Sequence, residues 1–301
     1  MGFIYYALPG AETLAKDLAH RAQAKVGSLE VHQFPDGEIY VRAHTPCRDQ
    51  RVVLVADLAR PDRSALPLLF AADLMHDLGA EDVGLVAPYL AYMRQDKRFH
   101  EGEAITSASF AKLVNNALDW MITVDPHLHR RKSLSEIYSI PASALHAAPV
   151  IGDWIAHNVP DALLVGPDGE SEQWVKAVAE VADMPFIVLT KVRHGDRDVE
   201  VSVPHADRWH DRTPVLVDDI ISTARTMIET ISHLKNAGMK PPVCIGVHAI
   251  FAGDGYEVLK NSGASRIVTC NAVPHSTNAI DLTGLIASGM QALLSTKQGV
   301  S

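Results

Sequence analysis

The chain has 301 residues, 47% of them apolar and 21% charged, enough to bury about two domain cores and too apolar for intrinsic disorder. Its 27 Lys and Arg stand against 36 Asp and Glu, and the formal charge of −9 argues against a general nucleic-acid binder, whose affinity comes from cations that neutralise phosphates. Three scattered cysteines, Cys47, Cys244 and Cys270, have no metal-ligand spacing and point to a reducing cytosol, and no run approaches the ~18 apolar residues of a membrane helix.

The opening MGFIYYALPGAETLAKDLAH reads as a strand running into a helix, without the basic leader of an export signal. Short apolar runs at 52–56, 83–87 and 121–124 predict buried strands, and so do those at 163–166, 186–189, 215–217, 243–250 and 267–270. Between them the apolar spacing turns helical, over 12–26, 65–78, 107–118, 147–158, 171–182 and 224–237. Strand and helix in alternation predict parallel sheets with helices on both faces. The series runs twice, with a seam where Pro141 and Pro149 flank a small-residue stretch. The expectation is two α/β domains of similar build, 1–145 and 146–301, with the last helix a candidate to pack back on the first. Ligands of such sheets bind at the carboxyl ends of the strands, so the residues after each run matter most.

The sharpest signal is VLVDDIISTARTMIETISHLKNAG. Asp218 and Asp219 end an apolar strand, and Ser222-Thr223-Ala224-Arg225-Thr226 then opens a helix. Loop amides and a helix N-terminus aim several N–H donors at one place, which suits a dianionic phosphate. Carboxylates beside that place accept hydrogen bonds from sugar hydroxyls. The plainer alternative is a helix capped by Ser222 or Thr223, with two solvated aspartates.

Other strand ends carry their own clusters. FPDGEIYVR, from Phe34 to Arg42, has a Pro-Asp-Gly turn between two candidate strands. APYLAYMRQDKRFHEGEAIT concentrates Arg94, Lys97 and Arg98 in an acidic chain, with Tyr89, Tyr92 and Phe99 expected as packing. ITVDPHLHRRK sets His127 two residues from His129, a weak zinc signal without further ligands. VGPDGESEQW places Asp168 between a strand and a helix, and LTKVRHGDRDVEV sends Lys191 and Arg193 into a polar loop that turns back into a strand. Neither a G-x-x-x-x-G-K-[ST] loop nor a G-x-G-x-x-G fingerprint is present.

The 218–226 run resembles the ribose-phosphate loop of the phosphoribosyltransferase superfamily. In order and over nearly its whole length, the chain resembles the ribose-phosphate pyrophosphokinase family, nearest its archaeal-type subgroup. That resemblance implies two phosphoribosyltransferase-type domains, the first for ATP and the second for ribose 5-phosphate. It also implies a cytoplasmic, magnesium-dependent transfer of the diphosphate of ATP to ribose 5-phosphate, giving AMP and the activated sugar of nucleotide biosynthesis. Phe34, Asp36, Glu38, Arg94, Gln95 and Asp96 would contact ATP, with the Phe34 loop serving a neighbouring subunit in a homodimer or larger homo-oligomer. His127 and Asp168 match magnesium contacts. Lys191 and Arg193 match cations on a flap that meets the transferring diphosphate, and Asp218, Asp219, Ser222, Thr223, Ala224, Arg225 and Thr226 match the sugar-phosphate site.

Two positions depart from the family pattern. Ser222 stands where many members have aspartate, and Arg225 where they have glycine. Two alternatives therefore stay open: a phosphoribosyltransferase that consumes the same activated sugar, and a non-catalytic regulatory relative. The Arg94 and Lys191 stretches argue against the first, whereas Arg225 keeps the second alive.

Overall fold

The computed structural model describes residues 2–128, 130–167, 171–193, 199–202, 204 and 206–298, with the backbone alone over Thr190–Arg193 and Val199–Ser202. The chain divides into two compact units. The first runs to His146 and takes in Ala272–Pro274 and the segment from Leu282 onward; the second comprises Ala147–Asn271 and His275–Asp281.

In the first unit, β1 (Phe3–Ala7), α1 (Glu12–Arg21) and β2 (Lys25–Gly27) lead into a hairpin of β3 (Leu29–Gln33) and β4 (Ile39–Ala43). Then follow β5 (Arg51–Val55), α2 (Pro61–Asp77), β6 (Asp82–Val86), α3 (Thr106–Ala117), β7 (Trp120–Val124) and β8 (Ala142–Leu145). Six strands form one parallel sheet in the order β2-β1-β5-β6-β7-β8.

The second unit repeats the plan. It contains α4 (Ala148–Asn158), β9 (Ala162–Gly166), α5 (Glu172–Ala182), β10 (Phe186–Val188), β11 (Thr190–Arg193), β12 (Val199–Ser202) and α6 (Ala206–Trp209). Next come β13 (Thr213–Ile221), α7 (Arg225–Asn236), β14 (Val243–Ala249), α8 (Gly255–Asn261), β15 (Arg266–Cys270) and β16 (Asn278–Ile280). Its parallel sheet runs β10-β9-β13-β14-β15-β16, with β11 and β12 as a separate antiparallel pair. This is the α/β architecture of two helix-flanked parallel sheets that the alternating pattern predicts.

The last helix, α9 (Thr283–Gln298), packs on α1, β7 and β8 of the first unit. Tyr5 Oη donates to Met290 Sδ at 3.7 Å, and Gly289 lies so close to Leu145 that an added Cβ would stand 2.5 Å from its side chain. Central strands are buried on both faces and read as continuous apolar runs, as in RVVLV and ALLVG. All three cysteines are buried and none is in a disulfide, and burial pushes the Cys244 thiol up to about 12. Among the described residues no helix is long and apolar enough to cross a membrane.

Three boundaries differ from the sequence expectation. The first helix stops at Arg21 rather than at residue 26, because Gln23 takes φ +50° and the chain turns to add β2 to the edge of β1. The second begins at Pro61, a turn early, where proline's missing N–H is harmless. More consequential, β13 does not stop before the aspartates. It keeps pairing with β14 through Asp218↔Gly246, Ile220↔His248 and Ile221↔Ala249, so both carboxylates sit on the strand itself.

Candidate functional site

In the second unit the chain leaves β13 through Ser222 and Thr223 and enters α7 at Arg225. The N-cap is Ala224, not a hydroxyl residue, and it takes a left-handed φ of +58° with no side-chain cap bond. The simple capping alternative for Ser222 and Thr223 therefore fails. An uncapped α7 leaves its first-turn amides to be satisfied from outside the helix. Asp218 and Asp219 are half-buried, Thr223, Arg225 and Thr226 are exposed, and Asp218 Oδ1 accepts the Asp219 N–H at 3.0 Å.

The loop is braced from behind. Ile221 O accepts the N–H of Ile250 at 3.1 Å and of Phe251 at 2.9 Å, and Ser222 O accepts that of Ala252 at 3.2 Å. Phe251 packs in turn on Tyr256 and His275, with centroids 5.3 and 4.7 Å away. Gly255 opens α8 directly against the loop, and a Cβ there would stand 2.5 Å from Ser222 O and 3.3 Å from Thr223 backbone. The sequence reading missed Gly255. Its one visible trace is the Gly-Asp-Gly run from Gly253 to Gly255.

In the first unit the β3–β4 hairpin closes through Pro35-Asp36-Gly37, with Gly37 at φ +98°. Phe34 N–H donates to Glu38 O at 2.7 Å, and Asp36 Oδ1 accepts the Glu38 N–H at 3.1 Å. Alternation gives the hairpin two faces. Leu29, Val41 and Ala43 pack on the core, whereas His32, Phe34 and Tyr40 gather on the other side. The His32 ring stacks on Tyr40 at 4.6 Å and stands edge-on to Phe34 at 5.1 Å, while Phe34 stays 44% exposed. Glu30 pairs with His44 at 2.8 Å and His32 at 3.4 Å; the His44 hydrogen bond foremost holds its carboxyl below the usual range.

The segment after β6 is anchored by buried Leu90, Ala91 and Met93 before Arg94 emerges exposed. Gln95 faces the start of α3: its Oε1 accepts from Thr106 Oγ1 at 3.2 Å, and its carbonyl accepts the Ser107 N–H at 3.3 Å. Asp96 turns inward. Its side chain is only 2% exposed, and its carboxylate accepts from Arg130 Nη1 at 3.0 Å. Arg131 Nη2 donates to the Asp96 carbonyl at 3.2 Å and to Ser107 Oγ at 3.3 Å. Arg130 and Arg131, given no specific contact by the sequence reading, thus tie the loop after β7 to the basic segment. Tyr92 packs on Phe110 as expected, but Phe99 is 51% exposed, flanked by Lys97 and Arg130 at 5.1 and 5.3 Å.

His127 is half-buried just beyond β7. Before it, Asp125 ends the strand at φ +36°, its carboxylate 3.0 Å from His146 Nδ1. That hydrogen bond raises the His146 pKa above its ordinary value. Asp168 and His129 lie outside the described residues. Lys191 and Arg193 lie on β11, opposite Val201 and Val199 of β12, and their side chains likewise lie outside what is described. The structure thus gathers Phe34, Asp36 and Glu38 on one turn, Arg94 to Asp96 on one segment, and 218–226 on one strand and loop.

The family description "N-terminal domain of ribose phosphate pyrophosphokinase" matches residues 4–117, and "phosphoribosyl transferase domain" matches residues 133–283. The ribose-phosphate pyrophosphokinase of Methanopyrus kandleri is 31% identical over 283 residues, covering 93% of this chain and 96% of that protein. Its counterpart in Methanobrevibacter smithii is 29% identical, over 92% of this chain and 96% of the relative. In Archaeoglobus fulgidus, ribose-phosphate pyrophosphokinase 2 is 30% identical, over 94% and 98% respectively. The crystal structure of phosphoribosylpyrophosphate synthetase from Mycobacterium smegmatis superposes with a TM-score of 0.82 at 21% identity, covering 98% of this chain and all of that one, which establishes the shared fold.

Proposed function

The chain belongs to the ribose-phosphate pyrophosphokinase family, and from that premise we propose which of its residues carry each part of the reaction. It transfers the diphosphate of ATP to the anomeric hydroxyl of ribose 5-phosphate, giving 5-phosphoribosyl 1-diphosphate and AMP. The anomeric oxygen attacks the β-phosphorus, the bond from that phosphorus to the α-phosphate oxygen breaks, and AMP leaves. Such a transfer asks for positioning and charge neutralisation more than for covalent catalysis.

The observation that carries the residue assignment is the uncapped start of α7 beside two strand-borne aspartates. Amides and hydroxyls of Ser222, Thr223, Ala224, Arg225 and Thr226 receive the 5-phosphate, and Asp218 and Asp219 accept from ribose hydroxyls. Phe34 offers an exposed ring to adenine, with Asp36 and Glu38 at its polar edge, and Arg94 meets the phosphates. Gln95 and Asp96, engaged with α3 and Arg130, set where Arg94 emerges. Lys191 and Arg193 stabilise charge on the transferring group.

Magnesium fits this donor set as an ion that arrives with the nucleotide, since it takes most of its ligands from phosphates and water. Asp168 and half-buried His127 are the residues that would hold it, His127 through water because nitrogen is an atypical direct donor to magnesium. The chemistry it would supply when bound is neutralisation of charge on the phosphate oxygens. The hairpin serves a neighbouring copy, so the working unit is at least a dimer, and the compartment is the cytoplasm.

The test is incubation with ATP, magnesium and ribose 5-phosphate, with AMP and the diphosphate sugar measured together. Lys191→Ala should cut kcat by about 10²–10³ and barely change ribose 5-phosphate binding. Unchanged turnover in that variant would remove the flap from the mechanism. Mixed Phe34→Ala and Arg94→Ala subunits should regain some sites; no recovery after proven exchange would sink the shared site.

A further inference from the structure

We infer that His32 is a positioning residue for ATP, holding the Phe34 ring in the orientation that receives adenine; this rests on the proposed role of Phe34. His32 is the penultimate residue of β3 and Phe34 lies one residue beyond the strand's end, their rings in contact on one side, and Tyr40 is the cross-strand partner of His32. The three rings form a mutual cluster in which His32 is the nearer neighbour of Phe34, at 5.1 Å against 6.1 Å for Tyr40. Tyr40 lies nearly flat on His32, with 26° between the planes, and His32 meets Phe34 nearly at right angles, at 79°. Glu30 Oε1 lies 3.4 Å from His32 Nδ1, so the imidazole has a polar neighbour as well as the two rings. The opposite face of the hairpin is packed on the core through Leu29, Val41 and Ala43, so the backbone under the trio is fixed.

A phenylalanine at an exposed turn samples several rotamers, and a ligand that stacks on it must stop that motion. An edge-on neighbour restricts the ring before the ligand arrives, which favours association without any contact to the ligand. Phe34 is 44% exposed, open surface for a base, while its ring is already in contact with His32. His32 therefore acts through Phe34.

Three variants test this in the full-length protein, each read by KM for ATP, KM for ribose 5-phosphate, kcat and melting temperature. His32→Ala should raise KM for ATP about three- to tenfold, the size of an aromatic pair contact. Its kcat, KM for ribose 5-phosphate and melting temperature should stay near wild type. His32→Phe, which keeps the ring contacts, should restore KM for ATP to within about twofold. Phe34→Ala should raise KM for ATP at least as much as His32→Ala. If Phe34→Ala weakens ATP but His32→Ala does not, the positioning role fails alone. If Phe34→Ala leaves ATP unaffected, the hairpin's nucleotide role fails and this inference with it. A His32→Ala variant that loses melting temperature and both affinities together, or that His32→Phe does not rescue, shows a general structural role and overturns the proposal.

Discussion

Arg130 reaches the buried carboxylate of Asp96 at 3.0 Å, joining the loop after β7 to the segment after β6. The pair is lopsided, with Asp96 2% exposed and Arg130 47% exposed. Removing the arginine would leave a buried charge unpaired, whereas removing the aspartate frees a cation that water can reach. Arg130→Ala should therefore destabilise the protein by about 1–3 kcal/mol and raise KM for ATP. Asp96→Asn should cost less stability. Urea midpoints with ATP titrations check both, and equal losses would contradict this geometry.

Ala224, not Arg225, carries the left-handed backbone of the loop that leads into α7. Arg225 is the first residue of α7, exposed and with ordinary φ, so glycine is not required at that position by conformation. Arg225→Gly should leave turnover measurable and keep or modestly weaken ribose 5-phosphate affinity. A left-handed L-residue costs about 1–2 kcal/mol, partly offset in a glycine variant by its freer unfolded chain. Ala224→Gly should thus be neutral to slightly stabilising, and Ala224→Val should weaken both stability and sugar-phosphate binding. An inactive native protein that gains activity on Arg225→Gly would instead identify a regulatory chain.

Gly255 lets the start of α8 approach the same loop closely. A methyl at 2.5 Å from Ser222 O meets backbone rather than a movable side-chain end, so the loop itself must shift. Gly255→Ala should raise KM for ribose 5-phosphate by about tenfold or more, since a misplaced loop forfeits several charge-assisted bonds. KM for ATP should stay put. Titration calorimetry with each substrate separates the two effects.

His146 and Asp125 give the first unit one pH-dependent contact. The His146 pKa is raised in the folded protein by its hydrogen bond to Asp125, so its contribution is fully present below the unfolded value near 6.5. It is lost as pH rises through the higher folded value. The imidazole is largely exposed, so the effect is about 0.2–1 kcal/mol. The melting-temperature difference between wild type and His146→Asn should shrink as pH rises from 5.5 to 8, and a difference growing with pH would contradict the contact.

The parallel sheets were legible because buried central strands are unbroken apolar runs, and the 218–226 loop because aspartates and small hydroxyl residues interrupt such a run. Where β13 ends was not legible. Ile220 and Ile221 continue the strand only because β14 supplies partners, and acidic residues alone suggest a stop. The end of α1 was hidden for a similar reason: β2 exists by pairing with β1, which local periodicity does not encode. Asp96 and Arg130 are 34 residues apart and meet because β6 and β7 are neighbours in the sheet. Spacing along the chain carries no trace of that meeting. Gly255 left no more than its Gly-Asp-Gly context in the sequence, since its meaning lies in the backbone it lets approach.

The placement of α9 has a consequence for how the chain matures. At roughly 5–20 residues per second, a ribosome needs about 8–30 seconds to go from the end of β8 to the end of α9. Throughout that interval α1, β7 and β8 lack the helix that covers them, and Tyr5 lacks the Met290 sulfur it will bond. The first unit is begun first and finished last. A contiguous fragment ending at His146 would stay in that unfinished condition, its Leu145 surface open to any passing apolar segment. Completion of the first unit is thereby tied to the docking of the final helix, after the whole of the second unit has been made.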